Sequence, residues 1–502
     1  MRTAALRLTR PHPRTSRPYA LQSSRLVLLT PSTRSFSHSL LNSPTAKSPK
    51  TDADQKTLEV KPEQQSEPAR FSEKTPLLGE LQERIRLRGA ITVHDYMTSC
   101  LTHPVHGYYS TQEALGKIGD FTTAPEISQT FGEMIAVWCV ASWQKMGEPQ
   151  RIHLVEIGGG KGTLMKDVLR ACSNFAKFSR ALSRITMVDA SARMRKLQRE
   201  ALGCTPVSGK VEENESGDGE YLLRYPFNRT SRGGSVRMRW VNTLSEVESQ
   251  GEPVLVIAQE LFDALPVHQF QYSDGRWCER LVDVADDPKE SGPPDLQNLQ
   301  HHLRFVLSRG PTPAAKILLG GAILRPAAEG AQIEIGTSAA ALAQDLAIMI
   351  KNSTRGSALI IDYGENHPIA DSLRGIKNHE FVHPLREPGL VDLSVDVDFN
   401  SLRKAVRDGL KALKITPPSV IGPITQAEFL KNMGIEYRVA ALLKLKETEE
   451  EQLEIFMGYQ RLVEDMGTAY KVMVITSEME TPGFTKLPDI ASTNANGGTG
   501  GP

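Results

Sequence analysis

A glycine-rich stretch contains the residue types best suited to holding a ligand against the backbone. It reads VEIGGGKGTLMKDVLR, from Val155 to Arg170, and places the acid Glu156 two residues ahead of alternating glycines at positions 158, 160 and 162. Glycines between a strand and a helix allow close approach and expose free amide groups. Counted from Gly158, the dinucleotide fingerprint and the P-loop both need glycine or alanine at position 163, where this sequence has threonine. The stretch therefore predicts a ligand-binding loop that is neither of these phosphate loops.

The phase of this loop, E-x-G-x-G-x-G, resembles that of class I methyltransferases that use S-adenosyl-L-methionine. The resemblance implies that Gly158, Gly160 and Gly162 lie against the methionine and ribose parts of this cofactor. It also implies that Glu156 meets the ammonium group of the cofactor, directly or through water. A second acid should follow the next strand and bind the ribose hydroxyls, and Asp189 in TMVDAS occupies that place. The alternative for Asp189 is the N-cap of the following helix.

The resemblance extends beyond the loop to the MidA-type protein arginine methyltransferases, whose mitochondrial members act in the assembly of respiratory complex I. The matching segments occur in family order over about residues 85–475 and read VHDYMTSCLTHPVHGYY, GDFTTAPEISQTFGEMIAVW, VEIGGGKGTLMKDVLR, QELFDALPVHQF and IDYGENHPIADSLRGIKNHEFVHPLREPGLVDLSVDVDF. Membership implies a class I methyltransferase fold and a type II enzyme that symmetrically dimethylates an arginine in a core matrix-arm subunit of complex I. The alternatives are an assembly chaperone that binds the same client with little or no methyl transfer, and an enzyme with another methyl acceptor.

Three residues depart from the usual motifs of this family. In the glycine loop, Gly159 replaces a proline and Lys161 an arginine, and Gln259 replaces an asparagine ahead of the acidic motif. Glycine is more flexible than proline, and glutamine moves the side-chain amide by one methylene. We expect altered cofactor affinity but a retained site.

Transfer to an arginine requires carboxylates, because the guanidinium is always charged near neutral pH and must be oriented by bidentate partners. In QELFDALPVHQF, Glu260 and Asp263 follow a predicted buried strand and are three residues apart. If this turn is helical, both carboxylates lie on one side. We expect Glu260 to be the main guanidinium ligand and Asp263 its partner, with a cap of the following turn as the alternative for Asp263. His268 is expected to be structural.

Two further segments are expected near the site. Taken alone, GDFTTAPEIS predicts a turn and a helix start at Ser128. The family resemblance makes this segment a lid over the cofactor, with Gly119, Thr122, Pro125 and Glu126 near it. In IDYGENHPIADSLRG, the residues Asp362, Tyr363 and Gly364 should end a strand at the active edge. No metal site is expected, because the histidines at 367, 379 and 383 are irregularly spaced.

These motifs need a scaffold in which apolar strands alternate with helices. The predicted strands are RIHLVEIGG, RITMVDAS, PVLVIAQE, SALIIDYG and YKVMVITS, and the helical patterns include TLMKDVLRACSNF, ARMRKLQREAL and TSAAALAQDLAIMIKNS. Such alternation predicts an α/β, Rossmann-like, mostly parallel doubly wound sheet, with N-terminal helices and inserted substrate-binding elements. Ligands bind such sheets beyond the carboxyl ends of the strands, where these motifs fall.

The ends of the chain differ in composition from its middle. Residues 1–50 contain seven arginines, two lysines and no acid, which is typical of a mitochondrial transit peptide, so we expect the protein in the mitochondrial matrix. Residues 51–75 are predicted to be a disordered linker, 76–480 the methyltransferase domain with insertions near 205–235 and 284–300, and 481–502 a disordered tail.

Net charge and hydropathy limit the classes of partner that this chain is expected to have. Without residues 1–50 the chain carries 50 basic and 59 acidic residues, a net charge of −9, which argues against a nucleic-acid binder. No apolar run is long enough for an integral membrane segment. Five scattered cysteines indicate neither a zinc site nor a disulfide framework. The oligomeric state stays open, with a homodimer among the alternatives.

Overall fold

The computed structural model describes residues 70–111, 123–206, 220–224, 235–248, 251–287, 299–321, 325–478 and 480–484. The predicted transit peptide, most of the linker and tail, and the cofactor-binding candidate Thr122 lie outside the described residues.

The helices are α1 (Pro76–Arg88), α2 (Val93–Thr102), α3 (Tyr108–Thr111), α4 (Ala124–Ile127), α5 (Gln129–Lys145), α6 (Thr163–Cys172), α7 (Ala176–Ala181), α8 (Ala192–Leu202), α9 (Pro313–Leu318), α10 (Thr337–Asn352), α11 (Phe399–Lys404), α12 (Leu410–Ala412), α13 (Gln426–Asn432), α14 (Ile435–Leu443) and α15 (Glu449–Gln460).

The strands include several of only two residues. They are β1 (Arg70–Phe71), β2 (Ile91–Thr92), β3 (Ile152–Ile157), β4 (Leu182–Val188), β5 (Thr205–Pro206), β6 (Glu220–Arg224), β7 (Ser235–Val241), β8 (Val254–Gln259), β9 (His268–Ser273), β10 (Arg276–Val284), β11 (Leu299–Gln300), β12 (Leu303–Leu307), β13 (Gln332–Ile335), β14 (Gly356–Glu365), β15 (Arg374–Lys377), β16 (Glu380–Val382), β17 (Asp392–Ser394), β18 (Val397–Asp398), β19 (Ser419–Thr425) and β20 (Tyr470–Thr476).

A large mixed sheet positions the predicted motifs. Its order is β19-β20-β14-β8-β3-β4-β7-β6-β5, with β18 beside β14. The five central strands β14, β8, β3, β4 and β7 are all parallel. Because parallel strands end at the same edge, the glycine loop after β3, Asp189 after β4 and the acidic turn after β8 meet there. The predicted mostly parallel α/β fold is confirmed.

Helices pack on both faces of the central strands of this sheet, as these apolar strands require. Along β3, Leu154 packs into one hydrophobic cluster with α5 and α6, and the next residue, Val155, packs into another with α10 and α11. This alternation from one residue to the next is the pattern of a strand buried on both sides.

Local signals define the helices that flank the site. The Ser191 hydroxyl accepts a hydrogen bond from the Met194 amide at 3.3 Å and so caps α8, which makes the N-cap interpretation of Asp189 wrong. The helix ends at Gly203, in the left-handed conformation that glycine adopts without strain. Ser128 caps α5, which confirms the helix start predicted there.

Some elements differ from the sequence-based expectation. The strand β20 runs antiparallel to β14, although its apolar run is indistinguishable from those of the parallel strands. The short strands β5 and β6 lie within the predicted insertion near 205–235 and extend the sheet antiparallel to β7. A second sheet of β12, β10, β9 and β13, with β2 paired to β10, was not predicted. No helix among the described residues is long and apolar enough to cross a membrane.

Candidate active site

The glycine loop begins at the buried end of β3 and reaches α6 through left-handed turns. Gly158, Gly160 and Gly162 have φ angles of 68°, 51° and 84°, which residues with a Cβ rarely adopt. A Cβ on Gly158 would lie 2.8 Å from the Leu261 Cδ1 atom. The loop therefore needs glycine for its backbone, and a Cβ at position 158 would in addition displace the end of the Leu261 side chain in the acidic turn.

Glu156 lies beneath this loop. Its side chain is buried, and its Oε2 atom has no hydrogen-bond partner among the described residues. Burial, with a smaller contribution from the nearby Asp189 carboxylate, raises the pKa of Glu156 to about 8. An unpartnered carboxyl oxygen at this position suits a ligand that brings a cation.

Asp189 is held in place by Gln198, a residue that the sequence analysis missed. The Gln198 Nε2 atom donates to Asp189 Oδ2 and to the Gly160 carbonyl, each at 2.9 Å, and its Oε1 atom accepts from Trp240 Nε1 at 2.9 Å. One amide thus ties the glycine loop to the acid after β4. The available signal was its helical spacing from buried Met194 and Leu202, which places a polar side chain on the buried face of α8. Burial raises the pKa of Asp189 to about 6.

The acidic turn after β8 is not helical. Glu260 has a φ of 49°, in the left-handed region, so the expectation that a helical turn aligns Glu260 and Asp263 is wrong. The turn is instead shaped from a distant strand, because Asp362 Oδ2 accepts from the backbone amides of residues 261, 262 and 263 at 3.1, 2.8 and 3.3 Å. Asp362 is thereby an anchor of the turn, a role the sequence did not reveal.

The two oxygens of Glu260 have different surroundings. Oε1 accepts from the Ala124 amide at 3.0 Å and from Gln259 Nε2 at 2.7 Å, whereas Oε2 is buried with no partner among the described residues. Burial raises the pKa of Glu260 to about 8, and the carboxyl groups of Asp263 and Glu126 contribute in the same direction. Gln259, one of the departures from the family motif, is therefore engaged in orienting this carboxyl.

Asp263 forms a second polar cluster beside Glu260. Its Oδ2 atom accepts from the Tyr363 hydroxyl at 2.5 Å and from the Ser394 hydroxyl at 3.1 Å, and these two hydroxyls also hydrogen-bond each other. The Arg374 guanidinium lies over the Tyr363 ring, 4.8 Å from its centroid. Burial raises the pKa of Asp263 and, with the negative charges of Asp263 and Glu260, that of Asp362. Three carboxyl groups this close and this buried do not all ionise without a cation.

The segment before α5 closes one side of the site. Pro125 is buried, and the Glu126 carboxylate accepts from the Thr123 amide at 3.3 Å as part of a capping box. Through the Ala124 amide, this segment contacts Glu260 in the acidic turn. His268, as expected of a structural residue, hydrogen-bonds to buried Glu279 at 2.8 Å.

Comparisons with known proteins agree with this arrangement. Residues 134–416 match the model of a family described as S-adenosyl-L-methionine-dependent methyltransferases. The chain is 35% identical over 429 residues to the mitochondrial protein arginine methyltransferase NDUFAF7 of Xenopus laevis, covering 84% of this chain and 90% of that protein. It is 33% identical over 390 residues to the human protein of the same name, covering 78% and 80%.

A solved structure supports the fold. A COG1565-superfamily protein from Burkholderia thailandensis, crystallised with S-adenosyl-homocysteine, superposes with a TM-score of 0.61 and covers 84% of this chain and all of that one. Its sequence is 24% identical, so the likeness concerns the fold.

Proposed function

The chain belongs to the S-adenosyl-L-methionine-dependent methyltransferase family that includes the mitochondrial NDUFAF7 protein arginine methyltransferases, and from this premise we propose that it methylates an arginine side chain of a protein. The observation that carries the proposal is the pair of acidic side chains at the carboxyl edge, Glu260 and Asp263. Glu260 has one oxygen fixed by two donors and one buried oxygen without a partner among the described residues. A guanidinium is the planar cation that such a carboxylate pair binds best.

S-adenosyl-L-methionine is the methyl donor of this family, and the residues below the glycine loop fit it. The unpartnered Glu156 oxygen would accept from its ammonium group, and Asp189, oriented by Gln198, would accept from its ribose hydroxyls. The bare backbone at Gly158, Gly160 and Gly162 would leave room for it. When bound, the cofactor supplies a methyl group activated by a sulfonium. Thr122, Pro125 and Glu126 are proposed to complete the site from the lid side.

The acceptor must be oriented and must lose one proton. Methyl transfer from the bound cofactor to a guanidinium nitrogen would release S-adenosyl-homocysteine, and one N–H proton would pass to solvent, so that the methylated guanidinium keeps a single charge. Glu260 would hold two guanidinium nitrogens and aim one of them, and Asp263 would contribute a second negative charge. The hydroxyls of Tyr363 and Ser394 hold the Asp263 carboxyl in position.

We further propose the finer assignment that the family resemblance implies. The acceptor is an arginine in a core matrix-arm subunit of mitochondrial complex I, the product is symmetric dimethylarginine, and residues 1–50 direct the protein to the matrix. The relatives named above are described as mitochondrial protein arginine methyltransferases, which supports arginine as the modified residue and the mitochondrion as the compartment.

The test is an assay of the purified protein with isotopically labelled cofactor and separate matrix-arm core subunits, followed by peptide mass spectrometry. We expect label on one arginine, two methyl groups added, and fragmentation typical of the symmetric isomer. Label on lysine, or none on any protein, contradicts the arginine proposal, and an asymmetric product contradicts only the type II assignment. A chaperone role without transfer predicts instead that Gly160→Val, which blocks the cofactor loop, leaves complex I assembly normal in cells.

A further inference from the structure

The connection between β7 and β8 leaves part of the main sheet uncovered. Parallel strands of a doubly wound sheet are normally joined through a helix that packs on one face. Here only residues 242–253 link the two strands, and the described part of this link contains one 3₁₀ turn, Leu244–Glu246, in place of a crossover helix. A groove of about 370 Å³ lies over β4 and β7 beside this turn.

Arginines dominate the lining of this groove. Five of them line it, against two glutamates, and they are Arg151, Arg180, Arg184, Arg237 and Arg239. Arg184 on β4 and Arg237 on β7 are register partners in neighbouring parallel strands, so their side chains leave the same face of the sheet. Like charges placed side by side in this way destabilise a sheet. An anion between them would remove the repulsion.

The carboxylates around the groove pair with some of these arginines but not with all of them. Glu252 pairs with Arg151 at 2.6 Å, and Glu248 pairs with Arg239 at 2.8 Å. The half-buried Arg184 donates to the Glu248 carbonyl at 2.8 Å, and its Nε atom is ion-paired with the Glu252 carboxylate at 3.6 Å. At that distance the buried Nε–H has no hydrogen-bond acceptor among the described residues.

Two of the five arginines have no partner at all within the described part of the chain. Neither Arg180, at the end of α7, nor Arg237 forms a hydrogen bond or ion pair there, and both are exposed. Two guanidinium groups without a partner among the described residues, and an Arg184 Nε–H that is ion-paired but not hydrogen-bonded, therefore line one groove.

We propose that this groove binds a small organic anion that carries at least two phosphoryl groups. The fork of donors on arginine matches phosphate oxygens in bidentate pairs, and several arginines in one groove suit adjoining phosphates. The volume is that of a small-molecule site, which favours a small ligand over an acidic protein segment. A general affinity for nucleic acid is disfavoured by the net charge of −9 outside residues 1–50.

This site is separate from the proposed cofactor site. Arg184 precedes Asp189 by five residues along β4, which corresponds to about 16 Å of extended strand. The groove therefore lies toward the amino-terminal part of the strand, whereas the cofactor is expected beyond its carboxyl end.

The experiment is isothermal titration calorimetry of the full-length protein with inorganic pyrophosphate, at fixed ionic strength and with saturating S-adenosyl-homocysteine to occupy the cofactor site. We expect one-to-one binding, weakened about tenfold or more by Arg237→Gln and by Arg184→Lys, which keeps the charge but loses the bidentate fork. Arg276→Gln is the matched control, because Arg276 is an exposed strand arginine outside the groove, and it should leave binding unchanged.

Several outcomes would overturn the proposal. They are no binding of pyrophosphate, equal binding by the wild type and both groove variants, or preferential binding of a glutamate-rich peptide over pyrophosphate. Because Arg237 is exposed and unpaired among the described residues, its substitution should not impair folding, and circular dichroism of each variant checks this.

Discussion

At the scale of the residue, the molecule concentrates unsatisfied acidity where a cationic ligand would bind. Glu156 is buried and Glu260 half-buried, each keeps a buried Oε2 atom without a partner among the described residues, and each has a pKa raised to about 8. A buried carboxyl group normally carries a full set of hydrogen bonds, because leaving one unmade costs free energy. Two such groups at one edge of a sheet are therefore better explained by ligands than by stability.

Glu260→Gln tests the acidic turn at this scale. The amide has nearly the same size but no charge, so we expect the rate of methyl transfer at saturating cofactor to fall by about 10²–10⁴-fold. The dissociation constant of the cofactor should change little, because a glutamine side-chain oxygen can still accept from the Ala124 amide and so hold the neighbouring lid segment. Initial rates and cofactor titration by calorimetry measure the two effects. Glu454→Gln on α15 serves as control, and a Glu260→Gln enzyme of normal rate would remove this residue from catalysis.

At the scale of the element, local sequence predicts the units that are built from near neighbours. The helix α8 begins and ends where ARMRKLQREAL does, and the strand, glycine loop and helix order around Gly158 follows from apolar runs and glycine spacing. These features depend on periodicity and on residues a few positions apart, which a single sequence contains.

The acidic turn could not be predicted in the same way. Its shape depends on Asp362, which is about 100 positions later and supplies the acceptor for three successive amides. A helical turn and the observed left-handed turn place Glu260 and Asp263 near each other by different routes, and their spacing does not distinguish the two. The direction of β20 and the role of Gln198 likewise depend on neighbours that are distant in sequence.

Gly158→Ala tests the contact between the glycine loop and the acidic turn. The left-handed backbone costs about 1 kcal/mol for alanine, and the new Cβ would press on Leu261, whose amide is held by Asp362. We expect cofactor affinity and transfer rate each to fall about tenfold or more. Gly203→Ala is the control, since Gly203 has a similar φ of 63° and no atom near its missing Cβ. Equal activity of the two variants would show that the loop contact does not matter.

At the scale of the whole molecule, buried carboxyl groups make folding stability depend on pH. The unfolded value for glutamate is 4.5, and the folded value is about 8 for Glu156 and Glu260, so between these values the folded state binds more protons. Stability therefore falls as pH rises through this range. Buried His153 acts oppositely at lower pH, because burial lowers its pKa from 6.5 to about 3, so protonation below 6.5 favours the unfolded state. Above pH 6.5 His153 is neutral in both the folded and the unfolded state, so only the two glutamates contribute to the change of stability with pH there.

We therefore expect the cofactor-free protein to lose unfolding free energy between pH 6.5 and about 8, with a slope of up to about 1.4 kcal/mol per pH unit for each group. Glu156→Gln should flatten this slope, because the amide does not titrate. Urea unfolding at several pH values measures how the unfolding free energy depends on pH, and Glu454→Gln is the comparison variant. If Glu156→Gln leaves the slope of unfolding free energy against pH unchanged, the Glu156 carboxyl is not one of the titrating groups.

The left-handed backbone of Glu260 has a consequence for how the chain can evolve. A non-glycine residue in this conformation costs roughly 1–2 kcal/mol, and burying its carboxyl group adds to that cost. A glutamate codon becomes a glycine codon by one base change, and glycine at this position would relieve both penalties. A lineage with no use for the carboxylate would therefore reach a more stable protein in a single mutational step. The glutamate at this position is therefore explained by the chemistry of its carboxylate and not by stability.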